Sequence, residues 1–195
     1  MNRKNLTAAV LAGLAGVAGI VGTAQAVNIN PDGLGQVLIY PYYTTNAGNV
    51  TVLSVVNTSE EAKAVKVRFL EGKNSREVLD FNLYMSAYDV WTAALYDDAG
   101  TPTMVTTDNS CTVPYIYGNG GVQEFLPYAL IDEEDPKVLG DISRGSEGHF
   151  EMIEMGTLKN YSEASATAIT HVAGELPEGG CEQLVAAWTD ANDLV

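Results

Sequence analysis

Residues 49–96 read NVTVLSVVNTSEEAKAVKVRFLEGKNSREVLDFNLYMSAYDVWTAALY, and this stretch decides the fold. Within residues 63–71, Val65, Val67 and Phe69 alternate with the charged Lys66 and Arg68. Within residues 76–85 the apolar set is Leu79, Phe81, Leu83 and Met85, set against Arg76, Asp80 and Asn82. Period two predicts two neighbouring strands, each with one buried and one wet face. Glu71-Gly72-Lys73-Asn74 turns one into the other. Residues 50–57 predict a strand before them. Its two faces are both partly apolar, which predicts a central position in the sheet. Residues 88–96 predict a strand after them, with Trp91 and Leu95 on one face. The connections are too short for crossover helices, so an antiparallel meander or Greek key is expected.

Outward from this centre the signals thin. Residues 37–44 (VLIYPYYT) predict a first strand, at an edge or bulged because Pro41 has no N–H. Asn46-Ala47-Gly48-Asn49 is a loop of hairpin size. After Asp97-Asp98-Ala99-Gly100 the alternation loosens: residues 104–107 predict a short strand and residues 114–121 a loop. Residues 149–158 (HFEMIEMGTL) predict another strand with poor alternation. Residues 181–190 (CEQLVAAWTD) predict a helix, with Cys181, Leu184, Val185 and Trp188 on one stripe. The fold expected is an all-β antiparallel sandwich, Ig-like or related, with a short C-terminal helix.

The ends of the chain carry different information. Arg3 and Lys4 precede an apolar run over residues 6–21, and Ala24-Gln25-Ala26 has the small-x-small form of a cleavage site. Residues 1–26 are therefore expected to be a signal peptide, and residues 27–195 the β-sandwich domain. The mature chain, 195 less 26, has 169 residues; without Arg3 and Lys4 it holds 8 basic against 25 acidic residues. A net charge of −17 repels phosphate backbones, which excludes nucleic acid as a partner. In an exported chain Cys111 and Cys181, the two cysteines, are expected to pair. The chain ends at Val195 with no breaker or polar tail, so a longer protein cut at that point is a further expectation.

Few residue sets point to chemistry. Asp97-Asp98, Asp108-Asn109 and the run Asp132, Glu133, Glu134, Asp135 offer carboxylates for calcium, without the spacing of an EF-hand loop. Asp132 to Asp135 are the candidate metal ligands, and a solvated acidic surface is the plainer reading. His149 two positions before Glu151 is a candidate metal pair, and Ser143-Arg144-Gly145-Ser146-Glu147-Gly148 places Ser146 between glycines as a hydrolase nucleophile would sit. The strand-to-helix context of such a nucleophile is missing. Tyr40, Tyr42, Tyr43, Tyr84, Tyr88, Trp91, Tyr96, Tyr115 and Tyr117 form an aromatic set that either stacks on sugars or pairs within the sheet. Asn49, Asn57 and Asn160 begin glycosylation triplets and read as turn and strand residues.

On residues 50–95, EGHFEMIEMGTL and CEQLVAAW, the chain resembles a family of uncharacterised exported proteins of Gram-negative bacteria, some described as cell-surface proteins. The resemblance implies export to the periplasm, cell surface or beyond, and carries no catalytic residues. The function expected is a non-enzymatic surface protein with a structural, adhesive or assembly role, without cofactor. Its partners would be a protein, a glycan or a second copy of itself. The alternatives are a calcium-assisted carbohydrate-binding module and an exported hydrolase. An outer-membrane barrel is a further option, with Lys66, Arg68, Asp80 and Asn82 toward its lumen.

Overall fold

The computed structural model describes residue 30 and residues 32–130, 140–158 and 166–189. The predicted leader lies outside them. Two compact units are distinguished, residues 1–34 and residues 35–195, and the second carries the whole β fold. Among the described residues it has nine strands: β1 Val37–Thr44, β2 Thr51–Val56, β3 Lys63–Glu71, β4 Glu77–Met85, β5 Val90–Asp98, β6 Thr101–Val105, β7 Cys111–Val113, β8 Val122–Glu124 and β9 Glu147–Thr157. A helix, α1, spans Gly180–Thr189. The strands form two sheets, ordered β1-β9-β3-β4-β7 and β2-β5-β6-β8, with every pairing antiparallel. Two separate sheets make a sandwich and not a closed barrel.

The β3–β4 hairpin pairs Val67 with Phe81 and Arg68 with Asp80, as the alternation predicts. Val65, Val67, Phe69, Leu79, Phe81, Leu83 and Met85 all lie in the main core. Facing them from the other sheet are Leu53 and Val55 of β2, Trp91, Ala93 and Leu95 of β5, and Met104 of β6. The opposite face of the five-stranded sheet carries an ion-pair ladder. Lys63 bonds Glu154 at 2.8 Å, Lys66 pairs with Asp80, and Arg68 reaches Glu151 at 2.9 Å and Glu77 at 3.1 Å.

Several expectations are revised. β2 is an edge strand and not a central one. Its outward valines, Val52 and Val56, are exposed, so the second apolar face that signals a buried strand faces solvent here. The 46–49 loop is not a hairpin; it carries the chain from β1 in one sheet to β2 in the other. Among sequential neighbours only β3–β4 and β5–β6 pair directly, so a meander is replaced by repeated crossing between sheets. Residues 97–100 form the β5–β6 turn, with Ala99 at φ 51° and Gly100 at φ 95°. Two left-handed residues in a two-residue loop define a type I′ turn. β9 alternates through Phe150 and Met152 and then slips: Val65 pairs with Glu154 but Ala64 with Gly156, leaving Met155 as a bulge. That extra residue accounts for the broken alternation.

A second, smaller core lies on the outer face of the five-stranded sheet. Ala64, Tyr84 and Cys111 stand in adjacent strands and meet Ile169, Cys181 and Leu184. Cys111 is on strand β7, not in a loop, and forms a disulfide with Cys181. The helix therefore covers one end of a sheet face. Cys181 and Leu184 of the predicted stripe are buried and Val185 is half-buried; the Trp188 side chain and Asp190 lie outside the described residues.

Candidate functional site

Two features of the surface are not explained by packing. The first is the outer face of the four-stranded sheet. Pairing aligns Val52 with Ala94, Ala94 with Val105 and Val105 with Val122, a row of apolar side chains crossing all four strands. Val52 is 76% exposed and Val122 46%. Val50, Val56, Val90 and Tyr96 flank the row, and Val50, Val56 and Val90 are each about half exposed. No charged residue occurs between Asp32 and Glu60, so β2 and both its flanks are uncharged in a chain of net charge −15. A row of apolar side chains left exposed in so acidic a chain makes this face a candidate contact surface.

The second is an open basin of about 620 Å³ at the end where β4 turns into β5. It is lined by Ser86, Tyr88, Asp89, Asp108, Asn109, Tyr117, His171 and Glu175, among others. His171 bonds two of the other lining residues. Its Nδ1 lies 3.2 Å from the Ser86 hydroxyl and its Nε2 3.0 Å from Asn109 Oδ1. The Asn109 amide is oriented by its own nitrogen, which donates to the Gly174 carbonyl at 3.0 Å. Nε2 therefore carries the proton in the neutral ring, and Ser86 donates to Nδ1. Asp89 is 3.6 Å from Nδ1.

Serine, imidazole and an orienting amide are the parts of a nucleophilic relay. The surroundings oppose that chemistry, because acyl transfer needs donors aimed at a developing oxyanion. Four of the nearby backbone N–H groups are already taken: Ser86 and Val90 donate to Asp89, Ser110 to Asp108 and Tyr88 to the Ser59 carbonyl. Asp89, Asp108 and Glu175 make the basin acidic, and Ser86 is 5% exposed. The arrangement suits a ligand rich in hydroxyl groups. Tyr88 is 66% exposed and Tyr117 42%, and both line the basin as aromatic walls. Tyr88 holds a left-handed backbone, φ 57°, in the tight turn that also positions Asp89.

The residues singled out from sequence are scattered. Ser146 is buried next to β9 and its carbonyl accepts from Thr45 N at 2.7 Å; no hydrogen bond joins it to His149 among the described residues. Glu151 pairs with Arg68 and not with His149. Asp132, Glu133, Glu134 and Asp135 lie outside the described residues. Asp97 and Asp108 cap turns through Gly100 N and Ser110 N. Among the described residues no group of three or more His, Cys, Asp or Glu side chains forms a metal site.

The aromatic set divides. Tyr43, Tyr84 and Trp91 are buried, and Tyr40 stacks on Phe150 with ring centroids 4.2 Å apart. Tyr42, Tyr88 and Tyr117 are exposed. Asn57 is a buried turn organiser, donating to the Ser86 and Glu61 carbonyls, and Asn49 caps its loop through Asn46. Asn160 lies outside the described residues. Among the described residues no helix is long and apolar enough to cross a membrane.

The His171 basin was missed by sequence reading. Ser86, Asn109 and His171 come from three segments, 85 and 62 positions apart along the chain for the two bonded pairs. The legible part is Asp108-Asn109, which in sequence shows only a carboxylate source. Comparison with known proteins gave no matching family model, no matching curated protein and no matching solved structure.

Proposed function

We propose that this is an exported, non-enzymatic β-sandwich protein of the bacterial surface or periplasm, acting in adhesion or assembly. The observation that carries the reading is the uncharged β2 edge of the four-stranded sheet, with the apolar row Val52–Ala94–Val105–Val122 running across the outer face from it. A chain this acidic stays dispersed by self-repulsion, so an apolar strip kept free of charge is a surface reserved for contact. The Cys111–Cys181 disulfide supports an oxidising destination. Fractionation of a Gram-negative host expressing the full chain, with N-terminal sequencing, tests it. A disulfide-bonded product beginning near Val27 in the extracytoplasmic fraction is the expected result. An uncleaved, reduced product in the cytoplasm would sink the reading.

A second reading rests on the His171 basin. Exposed Tyr88 and Tyr117 beside Asn109, Asp108 and Glu175 combine a stacking surface with hydrogen-bonding groups, which is the chemistry of sugar recognition. In this reading the basin binds glycans, with calcium as a co-ligand or without it. Calorimetry against a glycan panel, with and without calcium, should show heat that Tyr88→Ala abolishes. No heat on any glycan discards it.

A further inference from the structure

We infer that two copies of this chain pair edge to edge through β2, joining their four-stranded sheets into one continuous sheet of eight strands. The inference rests on the assembly reading above and names its partner.

The backbone of β2 is phased by its neighbours. Asn57 N–H bonds the Asp89 carbonyl, so Asn57 and Asp89 form a hydrogen-bonded pair, and Val55–Trp91, Leu53–Ala93 and Thr51–Leu95 follow in phase. Thr92, opposite Ser54, turns its N–H to Asp108 and its carbonyl to Thr106, away from β2. The N–H and C=O groups of Val52, Ser54 and Val56 therefore point out of the sheet along the free edge. No turn, loop or side chain among the described residues bonds to them. Six strong backbone groups are left in a row.

The other edges are guarded. β1 carries Pro41 and a register shift between Tyr40 and Tyr43. β7 has three residues, with α1 packed beside it through Cys111 and Cys181. β8 has three residues and ends on Glu124. Natural sheets blunt their edges by proline, bulges, charge, short length or a covering element. β2 has none of these: it is TVLSVV, six residues, without charge, proline or bulge.

Charge identifies the occupant as a second copy. Two mature chains, each with 8 basic against 25 acidic residues, repel wherever acidic surfaces face each other, and the uncharged span between Asp32 and Glu60 is where they meet without opposing carboxylates. Antiparallel pairing about a two-fold axis at Ser54 sets Ser54 against Ser54 of the second copy, Val52 against Val56 and Leu53 against Val55. The outward groups then form six backbone hydrogen bonds, and like side chains meet on each face. The apolar rows of both copies become one strip.

Sedimentation velocity of the mature protein across concentration and salt tests this. A monomer–dimer equilibrium is expected, with dimerisation strengthened several-fold on raising salt as like charges are screened. Ser54→Pro removes an outward N–H and leaves the β5 ladder intact, as proline is tolerated on an edge strand. It should lose the dimer while keeping the wild-type circular dichroism spectrum. Ser54→Ala keeps the N–H and should keep the dimer, and Val52→Lys should weaken it at least tenfold. Ser54→Cys should cross-link under mild oxidation, since Cα atoms of a hydrogen-bonded pair lie about 5.5 Å apart, within disulfide reach. A wild-type protein that stays monomeric at high concentration in both salts overturns the inference. So does a dimer indifferent to Ser54→Pro and Val52→Lys. Neither outcome touches the export reading, which fails only on the fractionation result.

Discussion

Glu71 shows how much one residue can hold. Its side chain is fully buried at the end of β3, and its carboxylate accepts from the backbone N–H of Lys73, Asn74 and Arg76, with Arg144 at 3.1 Å. Burial opposes the charge, but the Arg76, Lys73 and Asn74 amides and the Arg144 guanidinium outweigh it and hold the carboxyl down at about 2. A carboxyl lower in the folded than in the unfolded chain stabilises the fold above its unfolded pKa, and that contribution fades as pH falls through the folded value. The melting temperature should therefore drop between about pH 5 and pH 2, and Glu71→Gln should flatten that dependence. Glu71→Ala should cost about 3 kcal/mol in urea denaturation, because it strands buried donors. Trp91 makes the opposite case. Its indole N–H is buried without a partner among the described residues, so Trp91→Phe loses packing but no hydrogen bond, at about 1–2 kcal/mol. Sequence shows Trp91 as a core residue and Glu71 only as part of a turn. Three of the four donors around Glu71 come from the turn that follows it, and the fourth, Arg144, arrives from 73 positions away.

At the level of elements, legibility followed contrast between faces. β3 and β4 alternate charged and apolar residues, and which face of each is buried is readable from the sequence. β2 alternates Leu53 and Val55 inward with Val52 and Val56 outward; hydrophobicity alone cannot tell an exposed valine from a buried one. β6 opens with Thr101-Pro102, and the buried Pro102 hid its start. β7 and β8 are too short to show a period. The β5–β6 turn was obscured because alanine occupies a position that favours glycine or asparagine. Ala99 at φ 51° strains a type I′ turn. Ala99→Gly should raise stability by about 0.5–1 kcal/mol, read as a higher urea midpoint at unchanged slope.

At the scale of the whole molecule, the Cys111–Cys181 disulfide spans 70 positions. On the chain-entropy account, replacing both cysteines by alanine should cost roughly 4 kcal/mol in calorimetric stability, less any strain relieved. Sequence revealed the pairing by counting cysteines, but not the sheet face on which it lies. The His171 basin was hidden for a related reason: its polar groups gather only when distant turns converge. The small core around Tyr84 and Leu184 sits across the five-stranded sheet from the main one. Two oily layers thus share β3 and β4 as a party wall. A reducing milieu, or a bulky side chain at Ala64, would peel the helix away and bare Tyr84 while the sandwich persists, so this molecule is built to come apart in stages.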